Sequence, residues 1–597
     1  MLLSYSEAES LEKNYTGKYF EQEKMSKNRE IAEIFENMAD MLSITDENPF
    51  KIRAYKKAAV NILELREAIE DASARGELTE IPGVGKDLAD KIREYVETGR
   101  MKEYERLQEN IPLDTVELLR IPGLGPKTLS LLFKGLGIRN AADLEKALDG
   151  PEILKFKGMG LKKIEDIRRG IALLRESKER SRLGVVLPIG ESLVEAVSRI
   201  PRTEGAILAG SLRRMRETVK DIDVLTISDN PPEVVEAFTS LRPEKDVLAS
   251  GSTKGSVILQ EGIQADLRVV GPESYGAALL YFTGSKAHNV RLRGLAQKKG
   301  LKINEYGVFR GEEMIAGETE REIYETLGLP FIPPELREDR GEIEAAMEGR
   351  LPDLIDLADI RGDLHTHTTW SDGKATIAQM ADAAEGLGYE YIAITDHSPS
   401  QTIAKGLPIE RLLEKKKELA EEAGKRKKIK VLMGTEVDIK MDGTLDYPDE
   451  ILKDLDVVVA SVHSGFKMDR ETMTSRIISA IRNPYVHAIG HPTGRLINER
   501  EPYDVDIDLV IGAAAEYGKA LEVNGSHPRL DLNDLHVRKA VDAGVKIIIS
   551  TDAHSTAQLL FMRYGVGTAR RGWVEKKDVL NALPFGELYE WLKSGRG

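Results

Sequence analysis

Two aspartates separated by one residue, Asp221 and Asp223 in K-D-I-D-V-L, have types and spacing that suit chemistry. In a strand, successive side chains alternate faces, so both carboxylates point to one side while Ile222 points into a core. A third carboxylate, Asp266 in Q-A-D-L-R-V-V, falls on what reads as another strand of the same sheet. Three carboxylates on one sheet face can hold two Mg2+ or Mn2+ ions ~4 Å apart, activating an attacking oxygen and stabilising a leaving one. Upstream, the Gly210-Ser211 turn is followed by paired arginines. Glycine lets backbone N–H groups approach phosphate oxygens, and an arginine neutralises them. A lone Asp-x-Asp is ordinarily a solvated edge; with the turn and Asp266 it points to nucleotidyl transfer.

A second set of ligand-type residues lies further along, where nine of the ten histidines fall between His365 and His554. Their contexts repeat, each an apolar strand ending in a ligand: D-L-H-T-H (His365, His367), Y-I-A-I-T-D-H (His397), V-L-M-G-T-E (Glu436), V-V-V-A-S-V-H (His463), H-A-I-G-H-P (His491) and I-I-I-S-T-D-A-H (Asp552, His554). His-x-His and Asp-x-His put two ligands on one strand face. Imidazoles and carboxylates without sulfur suit Zn2+, Mn2+ or iron. Bound metals of this kind acidify water and so favour phosphoester hydrolysis.

The elements that must position these residues can be read from periodicity. Helix-like segments such as Ile377 to Leu387 and Ile409 to Lys428 alternate with the ligand-bearing strands, as in a parallel α/β barrel. Such barrels gather functional side chains at the C-terminal strand ends. Near the N-terminus, Ile31, Ile34, Phe35, Met38 and Leu42 form one helical stripe, and Pro49 separates it from a second, basic helix. Ile81-Pro-Gly-Val-Gly and Ile121-Pro-Gly-Leu-Gly are near-identical, and Phe156-Lys-Gly-Met-Gly is a looser third copy. Each leads into an apolar-periodic helix, so Gly83, Gly85, Gly123 and Gly125 would present N–H groups at a helix start. These are helix-hairpin-helix signals, which grip DNA backbones without reading bases.

From Asp266 through Y-F-T-G-S (Tyr281 to Ser285), Asn289, Arg293 and I-N-E-Y-G-V-F (Ile303 to Phe309), the chain resembles the family X DNA polymerases. That resemblance implies that Asp221, Asp223 and Asp266 are catalytic metal ligands and that Ser211 and Arg214, beside Gly210, hold the triphosphate. Tyr281, Phe282 and Gly284 would line the sugar pocket, with Asn289 and Arg293 reaching the minor groove. Lys286 stands where several relatives have an acid. Lys91 falls at the position of the family's Schiff-base lysine, with Lys51 and Tyr55 at supporting, DNA-binding positions. Phe50 and Asp87 depart from the family's usual His and Lys there. The histidine-rich half resembles the polymerase and histidinol phosphatase (PHP) domain, a distorted (β/α)7 barrel with about three Zn2+ or Mn2+ ions. Its ligands would be His365, His367, Asp372, His397, Glu436, His463, His491, Asp552 and His554, with Asp396 and Asn524 behind them. His487, His527 and His536 fall outside the pattern.

Composition bounds the rest. With no cysteine, disulfides, thiolate metal sites and cysteine nucleophiles are excluded. A net charge of -15 is compatible with DNA binding because such affinity needs local phosphate contacts, and residues 51–180 carry a small basic surplus. No apolar run reaches the ~18 residues of a membrane helix. The expectation is a cytoplasmic, monomeric repair polymerase acting on gapped or primer-template DNA with deoxynucleoside triphosphates, its barrel a 3'-5' exonuclease with abasic-site or 3'-phosphate cleavage as further options. A small-molecule phosphatase fused to a polymerase and a DNA-end scaffold are the rival readings. Expected boundaries are 25–104 and 105–178 for two helical hairpin domains, 179–271 for an α+β palm, 272–332 for a fingers-like domain, 333–358 for a linker and 359–597 for the barrel. Residues 1–24 receive no function.

Overall fold

The computed structural model describes residues 27–594 apart from 64–67, 122–123, 157 and 242–246, so the assignment at Gly123 lies outside the described residues. The chain divides into two compact units near Glu179 and Arg180.

The first unit is helical. Asn28–Ile44 buries Ile31, Phe35, Met38 and Leu42 in a core with Tyr55, Ala58 and Ile62 from the helix Pro49–Leu63. The three glycine-rich repeats share a closing hydrogen bond. Val84 N–H donates to Ile81 O (3.0 Å), Leu124 N–H to Ile121 O (3.0 Å) and Met159 N–H to Phe156 O (3.1 Å). Helices Lys86–Thr98, Pro126–Leu136 and Leu161–Glu179 then begin at or directly after the last glycine. The loose third copy, which lacks the proline, makes the same closing hydrogen bond, and Gly83 and Gly158 share a positive φ of +86° and +85°.

The palm is a five-stranded sheet in the order Glu204–Leu208, Asp221–Ile227, Gln264–Val270, Lys254–Ile258, Val247–Ser250. Its central pair is parallel and the others antiparallel. Beyond it, helices Tyr275–Thr283 and Lys286–Lys298 pack on a three-stranded antiparallel sheet spanning Lys302–Ala316. Of residues 333–358, expected as a linker, the stretch to Leu354 packs on this domain and Ile355 enters the barrel core. Leu336, Ile343 and Ala346 join this domain's core, and the fully buried Arg337 pairs with Glu320 at 2.5 Å.

Seven parallel strands follow: Gly362–Thr366, Tyr391–Ile394, Lys430–Asp438, Val457–Ser461, Ala488–Ile489, Ala520–Asn524 and Ile547–Ser550. The first and last meet through a Thr366–Ala553 bridge, closing a distorted (β/α)7 barrel. Leu364, Tyr391, Leu432, Val457 and Ile548 form a core with Leu588 and Leu592 from the last helix. His487 bonds there to Leu592 O at 2.9 Å and takes no part in the ligand groupings. Among the described residues, no helix is long and apolar enough to cross a membrane.

Candidate metal centres

In the palm, strand register does the positioning. Asp223 lies opposite Asp266 on the neighbouring parallel strand, and Asp221 lies two residues before Asp223, so all three share a face. Asp266 is turned toward Lys254, 2.9 Å from its ammonium, and accepts from Gln264 at 2.9 Å. Burial, reinforced by Asp221 and Asp266, raises the Asp223 carboxyl to about 7. A carboxylate so crowded by like charge is stabilised by a cation, so this donor set fits a hard divalent ion.

Gly210 explains how the carboxylate finds room. It has φ +59°, and a Cβ on it would lie 2.1 Å from Asp223 Oδ2. Gly210→Ala is therefore expected to displace Asp223 and to lower nucleotide addition by about 10²-fold, the cost of misplacing a reacting group by ~1 Å. Single-nucleotide addition on a gapped duplex checks this.

Around the palm, Arg214 donates to Glu338 (3.1 Å) and to Thr283 O. Tyr281 and Phe282 meet edge to face at 5.2 Å, and Arg268 lies over the Phe282 ring. Asn289 donates to Tyr281 O (2.8 Å), and Arg293 Nε to Asn289 O (3.3 Å). Gly284 has φ +69° and Lys286 is exposed at the start of its helix. Ser211 begins the short helix with Gly210 and accepts from Arg216 N–H through its carbonyl.

In the barrel, ligand-type atoms within 4.8 Å of one another form three groups: His367, Asp372, His397 and His554; His365, His367 and Asp552; His397, Glu436 and His463. His491 belongs to none of them, and its Nε2 lies 2.9 Å from Glu436 Oε1. His365 Nε2, both His367 nitrogens, His397 Nδ1 and Glu436 Oε2 are buried without a well-aligned hydrogen bond, although His397 Nδ1 lies 2.9 Å from Glu436 Oε2 and His367 Nε2 3.1 Å from Asp552 Oδ1. Burial alone would raise the carboxyls of Glu436 and Asp552. Imidazoles outweigh it and hold both well below the usual range, His463, His397 and His365 acting on Glu436 and His365, His367 and His554 on Asp552. Ionised carboxylates converging with buried imidazole nitrogens make a donor set that fits divalent metal ions.

A ring of partners lies behind them. Asp396 accepts from Thr368, Ser371 and the buried Lys415 (2.9 Å). Asn524 donates to Asp552 Oδ2 at 3.2 Å. Sequence reasoning missed Glu522, which is 1% exposed: it meets His365 Nδ1 at 2.7 Å and accepts from His491 N–H at 2.6 Å and from Ser550. It also missed Asp438, 3.2 Å from His463 Nδ1. The available signal was position, since each acid lies two residues from Asn524 or Glu436 on the same strand. Glu522→Gln is expected to lower barrel metal affinity about 10–100-fold, as loss of a carboxylate behind a metal-binding histidine does. Metal content after dialysis at graded free metal is the check. His527 packs on Phe561 and Tyr564, and His536 N–H caps onto Asn533; neither enters a grouping.

The helical unit departs from expectation at Tyr55 and pairs Lys91 with an acid. Tyr55 is a core residue, 1% exposed and edge to face with Phe35 at 5.3 Å, so its ring is not available to DNA. Lys91 Nζ lies 2.5 Å from Asp87. The Lys91 side chain is 15% exposed, and its partner is a carboxylate rather than the neighbouring cation that activates some Schiff-base lysines. Lys51 is half-buried, Gly83 has φ +86° against the Lys57 stem, and Gly85 and Gly125 precede their helices as N-caps.

Sequence comparison adds four family matches: a helix-hairpin-helix domain over residues 26–101, a SAM-like helix-hairpin-helix tandem over 115–172, the DNA polymerase beta thumb over 278–338 and the PHP domain over 363–526. The DNA polymerase/3'-5' exonuclease PolX of Bacillus subtilis is 40% identical over 569 residues, 95% of this chain and 99% of that protein. A probable phosphatase of Thermoanaerobacter is 37% identical over 243 residues, 39% of this chain and 94% of its own. Another from Caldanaerobacter is 36% identical over 203 residues, 32% of this chain and 75% of its own.

Proposed function

The chain belongs to the family X DNA polymerases that carry a C-terminal PHP domain, and on that premise we propose that it fills short gaps in DNA during repair and trims DNA 3' ends with its barrel. The observation that carries this reading is the presence on one chain of two chemically different ligand sets, carboxylates alone on the palm sheet and imidazoles with carboxylates in the barrel.

In the palm, Asp221, Asp223 and Asp266 would hold Mg2+ or Mn2+. Such ions, when bound, neutralise phosphate charge and acidify the attacking hydroxyl. The primer 3'-hydroxyl attacks the α-phosphorus of the incoming nucleotide and pyrophosphate leaves. The Gly210-Ser211 turn and Arg214 hold the triphosphate. Tyr281, Phe282 and Gly284 bound the sugar, and Asn289 and Arg293 face the nascent pair's minor groove. The hairpin turns at Gly83, Gly85 and Gly125 grip the DNA backbone through N–H groups, with Lys51 contributing charge. In the barrel, the three groupings together with His491 would hold about three Zn2+ or Mn2+ ions. Glu522, Asp438 and Asn524 fix the orientation of His365, His463 and Asp552. Water attack on the terminal phosphodiester releases a nucleoside monophosphate and leaves a shortened 3' end. The chain would work in the cytoplasm as a monomer, with any lyase step at Lys91 limited by its pairing with Asp87.

A primer labelled at its 5' end and annealed across a one-nucleotide gap tests both halves. With the matching nucleotide it is extended by one residue, and without nucleotides it shortens. No extension would sink the palm reading, and no shortening the barrel reading. The similarity of the barrel to probable phosphatases favours a second substrate type, phosphomonoesters. A primer ending in 3'-phosphate, compared with small phosphate monoesters, separates DNA ends from free metabolites.

A further inference from the structure

The turn that carries Arg214 is seated on the barrel. Met215, with φ 51°, packs against the barrel helix Met562–Arg571 so closely that a Cβ on Gly567 would lie 2.5 Å from its Cε. Barrel Arg495 reaches Glu217 at 2.8 Å. Arg571, 4% exposed, donates to the carbonyl of Arg214 (2.7 Å) and to Glu338 (3.0 Å), while its other arm meets Asp534 at 2.6 Å. Glu338 in turn accepts from Arg214 Nε at 3.1 Å.

We propose that Glu338 and Arg571 are positioning residues of the nucleotide site, so that the barrel domain completes the triphosphate pocket of the palm. This inference rests on the reading of Arg214 as a phosphate ligand. A guanidinium is a rigid planar fork of five donors. Glu338 takes Nε and the Thr283 carbonyl takes Nη1, which fixes the plane and leaves Nη2 without a protein acceptor among the described residues. Three arginines surround one carboxylate here, since Arg216 also lies 4.0 Å from Glu338. The cluster therefore keeps an excess of positive charge suited to a polyanion. Arg571 bonds to the main chain of Arg214 as well as to Glu338, and this distinguishes a brace from a simple competitor for the side chain.

The test uses the full-length protein on a one-nucleotide gap, measuring KM and kcat for the nucleotide in wild type, Arg214→Ala, Glu338→Gln, Arg571→Met and Arg571→Lys. Barrel hydrolysis of bis-(p-nitrophenyl) phosphate serves as a control for folding. Glu338→Gln and Arg571→Met should each raise KM about tenfold, the weight of one charge-assisted hydrogen bond, with kcat and barrel hydrolysis unchanged. Arg571→Lys should fall between wild type and Arg571→Met. A general loosening would instead lower kcat and barrel hydrolysis together, and that result would overturn the proposal. A fall in KM for Glu338→Gln would also overturn it, by showing that Glu338 competes with phosphate. If Arg214→Ala raises KM while Glu338→Gln and Arg571→Met leave it unchanged, the inference fails and the assignment of Arg214 stands. If Arg214→Ala has no effect, the assignment itself fails and the inference with it.

Discussion

Replacing Asp223 with asparagine is expected to lower nucleotide addition by ~10³-fold or more, the scale set by losing electrostatic stabilisation at a reacting centre, while barrel hydrolysis continues unchanged. Asparagine keeps the shape that packs over Gly210 but removes the charge shared with Asp221 and Asp266. The pH dependence follows from the same crowding. Burial and the neighbouring carboxylates raise the Asp223 carboxyl to about 7. Below that pH it carries a proton that an entering cation must displace, and above it the site is ionised. Mg2+ or Mn2+ affinity of the palm should therefore rise with pH through about 7, and Asp223→Asn should flatten the profile. Without metal, the raised carboxyl makes the folded chain lose stability as pH rises from the ordinary carboxylate range toward 7. Titration calorimetry at several pH values reads the first effect and thermal melts the second.

Replacing Asp552 with asparagine should have the complementary outcome. Asp552 Oδ1 lies 3.1 Å from His367 Nε2 and 3.6 Å from His365 Nε2. Its backbone has φ 54°, a region that asparagine tolerates better than most residues, so the fold should survive. What is lost is the only carboxylate of the His365–His367–Asp552 group. Barrel metal content should fall and phosphodiester hydrolysis should drop by ~10³-fold or more, with nucleotide addition retained. Metal analysis and primer shortening on the same preparation give both readings.

The strands were legible where side-chain alternation carries the signal. Asp-x-Asp and His-x-His declare a shared face in the sequence itself, and Asp223 opposite Asp266 is the register that such a pattern demands. The barrel was legible because its apolar strands end repeatedly in histidines and acids. Glu522 and Asp438 were harder to see, since a single acid within an apolar strand has the same local pattern whether it faces solvent or a histidine across the barrel. Tyr55 lies among lysines on a basic helix, yet only packing against Phe35 reveals which face it occupies. Residues 333–358 are rich in proline and charge, which reads as a connector. Arg337 nevertheless enters a core because Glu320, distant in sequence, supplies its counter-charge. The brace on Arg214 was equally invisible, as it joins positions 214, 338 and 571 across three domains.

The most direct measurement is nucleotide turnover in idling: an α-labelled nucleotide, excess primer-template that calls for it, divalent metal, and release of labelled nucleoside monophosphate over time. Wild-type protein should convert triphosphate to monophosphate continuously, because the palm adds the residue that the barrel removes. Asp223→Asn should release none, Asp552→Asn should stop after extending the primer, and a mixture of the two variants should restore turnover. Monophosphate release by Asp552→Asn alone, or none by the wild type, would contradict two separate metal centres acting on one DNA end.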